Sequence, residues 1–217
     1  MIYKIFNIND LTKEQFAAYM SYLTDSKKAR LVGSNDSTLA AKTVVCEMLA
    51  RQCLSKLCDA PEFSLQLLLN VDSKSAVTNF DAKISLSSCG DFVACCVSRS
   101  NVGISLAEPA GFSFSDAQRL LSDSEIRYLY SDSKHSLAEN INKEACTEAD
   151  VMKKYALLYS LKRAQFFASG RAIMSNMPKI NFVISCDSIS CSDKAYNVIL
   201  AQYFQDKNLC CSIVERR

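Results

Sequence analysis

Histidine is almost missing from this 217-residue chain, where His135 is the single one. That leaves little imidazole for a zinc site and no histidine partner for a nucleophilic cysteine. Also missing is any run approaching the roughly 20 apolar residues that a bilayer span needs, so no membrane-spanning helix is expected. The start, Met1-Ile-Tyr-Lys-Ile-Phe6, alternates like a strand and lacks the apolar core of a signal peptide. A cytoplasmic protein is the expectation. Net charge is only +2, so nothing global points to nucleic acid or to an anionic membrane. Affinity for a phosphorylated ligand has to come from local clusters.

Cysteine, by contrast, is plentiful, with 11 residues. An odd count in a chain of this size, without a secretion signal, argues against a disulfide framework. The adjacent pairs Cys95-Cys96 and Cys210-Cys211, and the spacings Cys53/Cys58 and Cys186/Cys191, do not make the paired C-x2-C clusters of a structural zinc site. Most are expected to act as small buried hydrophobes. With 49% apolar and 22% charged residues the balance is that of an ordinary globular chain. Its length suits one large domain or two small fused ones.

Periodicity gives the elements. Residues 1–7 read as a strand, and Leu11 to Leu23 as a helix with Thr12-x-x-Gln15 as its capping box. Ser37 to Lys56 is a long amphipathic helix, Phe63 to Val71 a strand, and Asp72-Ser-Lys-Ser75 a turn. Three strands fill Lys83 to Leu106. Ser113 to Leu121 is a short helix, Ser124-x-x-Arg127 begins another, and residues 131–147 form a polar connection. Asp150 to Ser169 is the second long helix, stopped by Gly170. Asn181–Cys186, Ala195–Tyr203 and Leu209–Val214 complete a second sheet. Each half thus has a long helix and about three strands, a mixed α/β arrangement without a clear sequence repeat.

Several segments, in order, carry a resemblance. Lys83-Ile-Ser-Leu-Ser-Ser-Cys-Gly-Asp-Phe92 runs into a Ser-Gly turn, and Gly103-Ile-Ser-Leu-Ala-Glu108 follows. Lys42 to Arg51 is a helical segment with basic residues at its ends. Arg119-Leu-Leu-Ser-Asp-Ser-Glu125 and Tyr159-Ser-Leu-Lys-Arg-Ala-Gln-Phe-Phe-Ala-Ser-Gly170 complete the set with the Asp72–Ser75 turn. Taken together they resemble the Sfp-type 4′-phosphopantetheinyl transferases. There the matching motifs read N-(I/L)-S-H-S, G-(I/V)-D-(I/V)-E, R-x8-R, F-F-x-x-x-E, W-(S/T)-x-K-E-A-x-x-K-x-x-G and G-K-P. The resemblance spans essentially the whole chain. No single motif is specific; six in the right order are.

The resemblance implies an α+β fold of two similar subdomains, residues 1–102 and 103–217, with a pseudo-twofold relation and the ligand cleft between them. It implies transfer of phosphopantetheine from coenzyme A to a carrier-protein serine, and a monomer. It places Lys28, Arg30, Lys42, Lys74, Ser87, Ser88 and Arg163 at coenzyme A, and Lys162, Glu125 and Glu108 where catalytic groups would stand. The family's Mg²⁺ ligands are the carboxylates of G-x-D-x-E and K-E-A. Here Ser105, Ala107 and Arg163 occupy those positions, so no metal site is expected. A pyrophosphate transfer needs hard-cation neutralisation. A guanidinium such as Arg163 pairs with phosphate oxygens directly. Glu108 lies one residue past the lost ligand, and on a strand that points it to the opposite face unless a bulge intervenes.

Three readings stay open at this point: a transferase with an altered site, a pseudoenzyme that binds coenzyme A or an acyl carrier protein, and a pure protein-interaction module. Each basic residue also has a plain reading. Lys27, Lys28 and Arg30 form a solvated run, Lys42 and Arg51 the polar face of a helix, and Lys162 with Arg163 the wet side of another. Tyr159, Phe166 and Phe167 read as packing, His135 as an exposed loop residue, and Cys89 as a packed turn residue.

Overall fold

Two 22-residue helices organise the molecule, each laid across one three-stranded antiparallel sheet. The computed structural model describes residues 1–70, 75–110, 113–131, 147–170, 180–184 and 188–217. The expectations for Lys74, His135 and most of the polar connection fall outside them.

The chain begins with β1 (Ile2–Asn7), then α1 (Lys13–Ser21), α2 (Asp25–Ser34) and α3 (Ser37–Cys58). A short ribbon, β2 (Leu67–Asn70) with β3 (Ser75–Thr78), leads into the hairpin β4 (Lys83–Cys89) and β5 (Phe92–Ser98). The same succession then recurs: β6 (Val102–Ala107), α4 (Phe114–Leu120), α5 (Asp123–Tyr130) and α6 (Glu148–Ser169). It closes with the ribbon β7 (Phe182–Ile184) and β8 (Ile189–Cys191) and the hairpin β9 (Tyr196–Phe204) and β10 (Leu209–Arg216). Sheet order repeats too, β1-β5-β4 in the first half and β6-β10-β9 in the second. The class is mixed α+β with small antiparallel sheets.

Side-chain alternation sorts the layers. On β5, Val93, Cys95 and Val97 face α3 and pack on Met48, Leu49 and Cys53, while Ala94 and Cys96 face the second sheet at Ile104, Leu106, Cys211 and Ile213. On β6, Gly103 lies directly under α6, since a Cβ there would meet the Ala164 carbonyl at 1.9 Å. By the two-residue period Ser105 and Ala107 share that face. The order is therefore helix, sheet, sheet, helix. A strand covered on both faces reads as an unbroken apolar run, which is why β5 and β6 are fully buried along most of their length. Each buried Val, Leu or Ile contributes about 1.5–3 kcal/mol. The adjacent cysteine pairs split across the two faces: Cys95 and Cys210 face helices, Cys96 and Cys211 face the other sheet. The nine cysteines among the described residues are all free thiols.

The two sheets are also tied edge to edge. Ile104 N–H donates to Ser85 Oγ and Leu106 N–H to Ser87 Oγ, both at 3.0 Å. These hydroxyls satisfy strand donors that would otherwise be buried and unpaired.

Caps behave as the sequence suggests. Thr12 and Gln15 form a reciprocal capping box on α1, Asp36 caps α3, and Gly170 ends α6 at φ 67°. Other expectations are corrected. The strand expected over Phe63–Val71 starts later: Glu62–Ser64 is a 3-10 turn, and extended pairing among the described residues begins at Leu67. The Arg51 guanidinium takes the carbonyls of Glu62 and Leu65, drawing that stretch towards α3. Ser122, not Ser124, caps α5, with Glu125 returning the bond. Ser75 belongs to a strand, and the strand near Asn181 pairs with β8 in a separate ribbon rather than in the second sheet.

Candidate functional site

The β4–β5 turn meets the exit of β6 where the two sheets join. Gly90 and Asp91 form the turn between the paired Cys89 and Phe92, with Gly90 at φ 50°. The left-handed backbone is easy for glycine. A Cβ there would also strike the Glu108 side chain, its Oε1 only 2.0 Å away. Glu108 thus lies over the Ser-Gly turn.

Three charges from three elements act on the half-buried Cys89 thiol: Glu108 after β6, Arg163 on α6 and Lys42 on α3. Burial raises the Cys89 pKa, and Glu108 raises it further, while a hydrogen bond from the Glu108 backbone and the Arg163 and Lys42 cations oppose them. The thiol is therefore a poor nucleophile, in line with its packing role. Arg163 lies between Tyr159 and Phe167 on one face of α6, 5.3 and 5.6 Å from their ring centres. Those rings hold the guanidinium along the helix surface. Ser88 is exposed on the strand just before Cys89, and by the two-residue period its side chain is on the other face.

The structure thus brings Lys42, Glu108 and Arg163 to act on Cys89 and leaves the other site residues elsewhere. Ser87 is buried and accepts the Leu106 N–H between the sheets. Lys28 turns back to the Ser21 carbonyl and to Asp25, and Arg30 is exposed on α2.

Lys162 and Glu125 form a buried ion pair at 2.8 Å, each side chain about 1% exposed. Lys162 Nζ also donates to the Ile180 carbonyl, while Glu125 Oε1 accepts the Phe182 N–H and Oε2 the Ser122 N–H. The pair ties α5 and α6 to β7. Burial lowers the Lys162 pKa, against the raising effect of Glu125.

At the metal-ligand positions, Ser105 is fully buried with its hydroxyl unpartnered, and Ala107 packs on Ala156 and Cys210. No group of three potential metal-binding side chains is found among the described residues. Mg²⁺ takes several oxygen ligands, and one carboxylate and a guanidinium at this turn do not fit it.

Sequence reasoning missed one network. Arg51, read there as helix surface, is 4% exposed and pairs with buried Glu47 at 2.8 Å. Burial raises the Glu47 pKa, and Arg51 and Lys27 hold it down. The i, i+4 spacing of Glu47 and Arg51 was the available signal.

No protein-family profile matches this chain, and no curated protein matches it. No helix among the described residues is long and apolar enough to cross a membrane.

Proposed function

We propose that this chain is a divergent 4′-phosphopantetheinyl transferase-like protein of two similar subdomains, 1–102 and 103–217, related by a pseudo-twofold. Its cleft binds coenzyme A through cations, and the inherited Mg²⁺-dependent transfer is lost. The observation that carries this reading is that Lys42 and Arg163, from two different helices, both act on Cys89 beside the β4–β5 turn. The resemblance puts the coenzyme A pyrophosphate there. The recurring element order supports it as well.

Chemically, Lys42 and Arg163 supply the counter-charge, with Arg163 offering parallel N–H donors to phosphate oxygens. The turn backbone supplies neutral donors. Ser105 and Ala107, closed under α6, offer no carboxylate to hold a metal on the pyrophosphate. Lys162 and Glu125 brace α5, α6 and β7 rather than move protons at the cleft. The family's carrier-protein step therefore has no neutralising metal. A second reading, an interaction module that binds no nucleotide, is favoured by one observation: the Glu108 carboxylate over Gly90 opposes an anion.

Amide NMR shifts on titration with coenzyme A test the site. Shifts should concentrate at Lys42, Ser88, Cys89, Gly90 and Glu108. A perturbation pattern centred elsewhere, or none, contradicts the reading.

A further inference from the structure

A second concavity lies in the first half, built from different residues than the turn site. It is a cavity of ≈510 Å³ lined by Arg51, Leu65, Gln66, Leu67, Leu68, Thr78 and Asn79, within the size range of small-ligand sites. Three observations give it a chemical character. The Arg51 guanidinium, 4% exposed, uses Nε for Glu47 and Nη1 for the Glu62 and Leu65 carbonyls. Its Nη2 makes no hydrogen bond among the described residues, and the guanidinium lies over the Tyr22 ring, 4.0 Å from its centre, so one N–H group of a charged side chain on the cavity wall is left for a ligand.

Charge is the second observation. Lys27 and Arg51 both act on the Glu47 carboxylate, the Glu62 carboxylate is taken by the Tyr19 hydroxyl, and Arg51 is the cation on the cavity lining. The third is exposed apolar surface. Leu68, on the lining, is 55% exposed, and Phe63, on the turn whose Glu62 carbonyl Arg51 holds, is 80% exposed.

We infer that this cavity is a binding site for a small organic monocarboxylate with an apolar body, its carboxylate on Arg51 Nη2 and its chain along Leu65, Leu67 and Leu68. A carboxylate matches the donor left over. The apolar body covers leucine surface that is otherwise wet.

The test uses the full chain and two soluble probes that differ only in the head group, octanoate and octan-1-ol, followed by calorimetric titration. Octanoate should bind at least tenfold more tightly than the alcohol. Leu68→Glu changes an exposed residue, so the fold should be kept, and it should weaken octanoate at least tenfold by placing a carboxylate against the ligand's own. Saturating coenzyme A should leave octanoate affinity unchanged, which separates this site from the turn site whatever happens there. Equal affinity for acid and alcohol, no octanoate binding, an unaffected Leu68→Glu variant, or displacement by coenzyme A would each overturn the inference.

Discussion

Arg51 and Lys162 stand at the same position counted from the start of their 22-residue helices, α3 and α6. Each is buried and paired with one carboxylate, Glu47 and Glu125 respectively. Each also donates to a carbonyl just ahead of a ribbon strand, Leu65 before β2 and Ile180 before β7. The two halves thus fasten their ribbons to their long helices by the same device, although the cation and the source of the carboxylate differ.

Breaking either pair on one side leaves a buried charge. Glu125→Gln and Glu47→Gln should each destabilise the fold by about 3–5 kcal/mol in urea unfolding. The double variant Lys162→Met with Glu125→Leu should cost less than Glu125→Gln alone. A smaller penalty for the single change would mean that the ion pair is not structural.

Gly103 and Gly33 should respond oppositely to alanine. A Cβ at Gly103 meets backbone atoms of α6, so Gly103→Ala should cost more than ~3 kcal/mol or abolish soluble expression. At Gly33, inside α2, no atom lies within 4 Å of the added Cβ. There alanine should stabilise by roughly 0.5–1 kcal/mol. Thermal melts of the two variants check both signs.

Removing the hydroxyls between the sheets should orphan two buried strand amides. Ser85→Ala and Ser87→Ala should each cost about 1–3 kcal/mol. Hydrogen exchange of the Ile104 and Leu106 amides should accelerate selectively, at Ile104 for the first variant and at Leu106 for the second. Unchanged exchange at those amides would show that the serines do not hold the sheets together.

Stability should fall in alkali. Burial raises the thiols of Cys95 and Cys96 above their ordinary value of 9.0 and pushes Cys210 and Cys211 up to about 12. A raised folded pKa means that the unfolded chain loses its proton first, so the contribution is whole below pH 9 and is lost as pH climbs towards 12. Each thiol contributes a slope of about 1.4 kcal/mol per pH unit in that window. Lys162 and Cys53, with lowered pKa values, give the opposite slope below 10.5 and below 9.0, but these two groups stand against four thiols. Cys211→Ala should flatten the decline measured by urea unfolding across pH 8–11.

The elements were legible where periodicity and caps agreed. Thr12, Gly170 and the apolar runs of β5 and β6 announced their elements. The Phe63–Val71 stretch misled, because its apolar residues suggested one long strand while Arg51, a tertiary partner on α3, captures its carbonyls. Motif order named Lys42, Glu108 and Arg163 together, and in the structure all three act on Cys89. The places of Lys162, Glu125 and Ser87 were not legible: a buried ion pair and a hydroxyl between sheets look, in sequence, like wet or catalytic groups. Burial is a property of the packed layers, and nothing in the local pattern of α6 separates Lys162 from its neighbour Arg163.

The central claim is that cations, not a metal, hold coenzyme A at the β4–β5 turn. Calorimetric titration of coenzyme A into the full chain, once with Mg²⁺ and once with chelator, tests it directly. The account predicts micromolar binding of equal strength in both buffers, lost at least tenfold in Arg163→Glu. Binding that requires Mg²⁺, or no binding in either buffer, would contradict it.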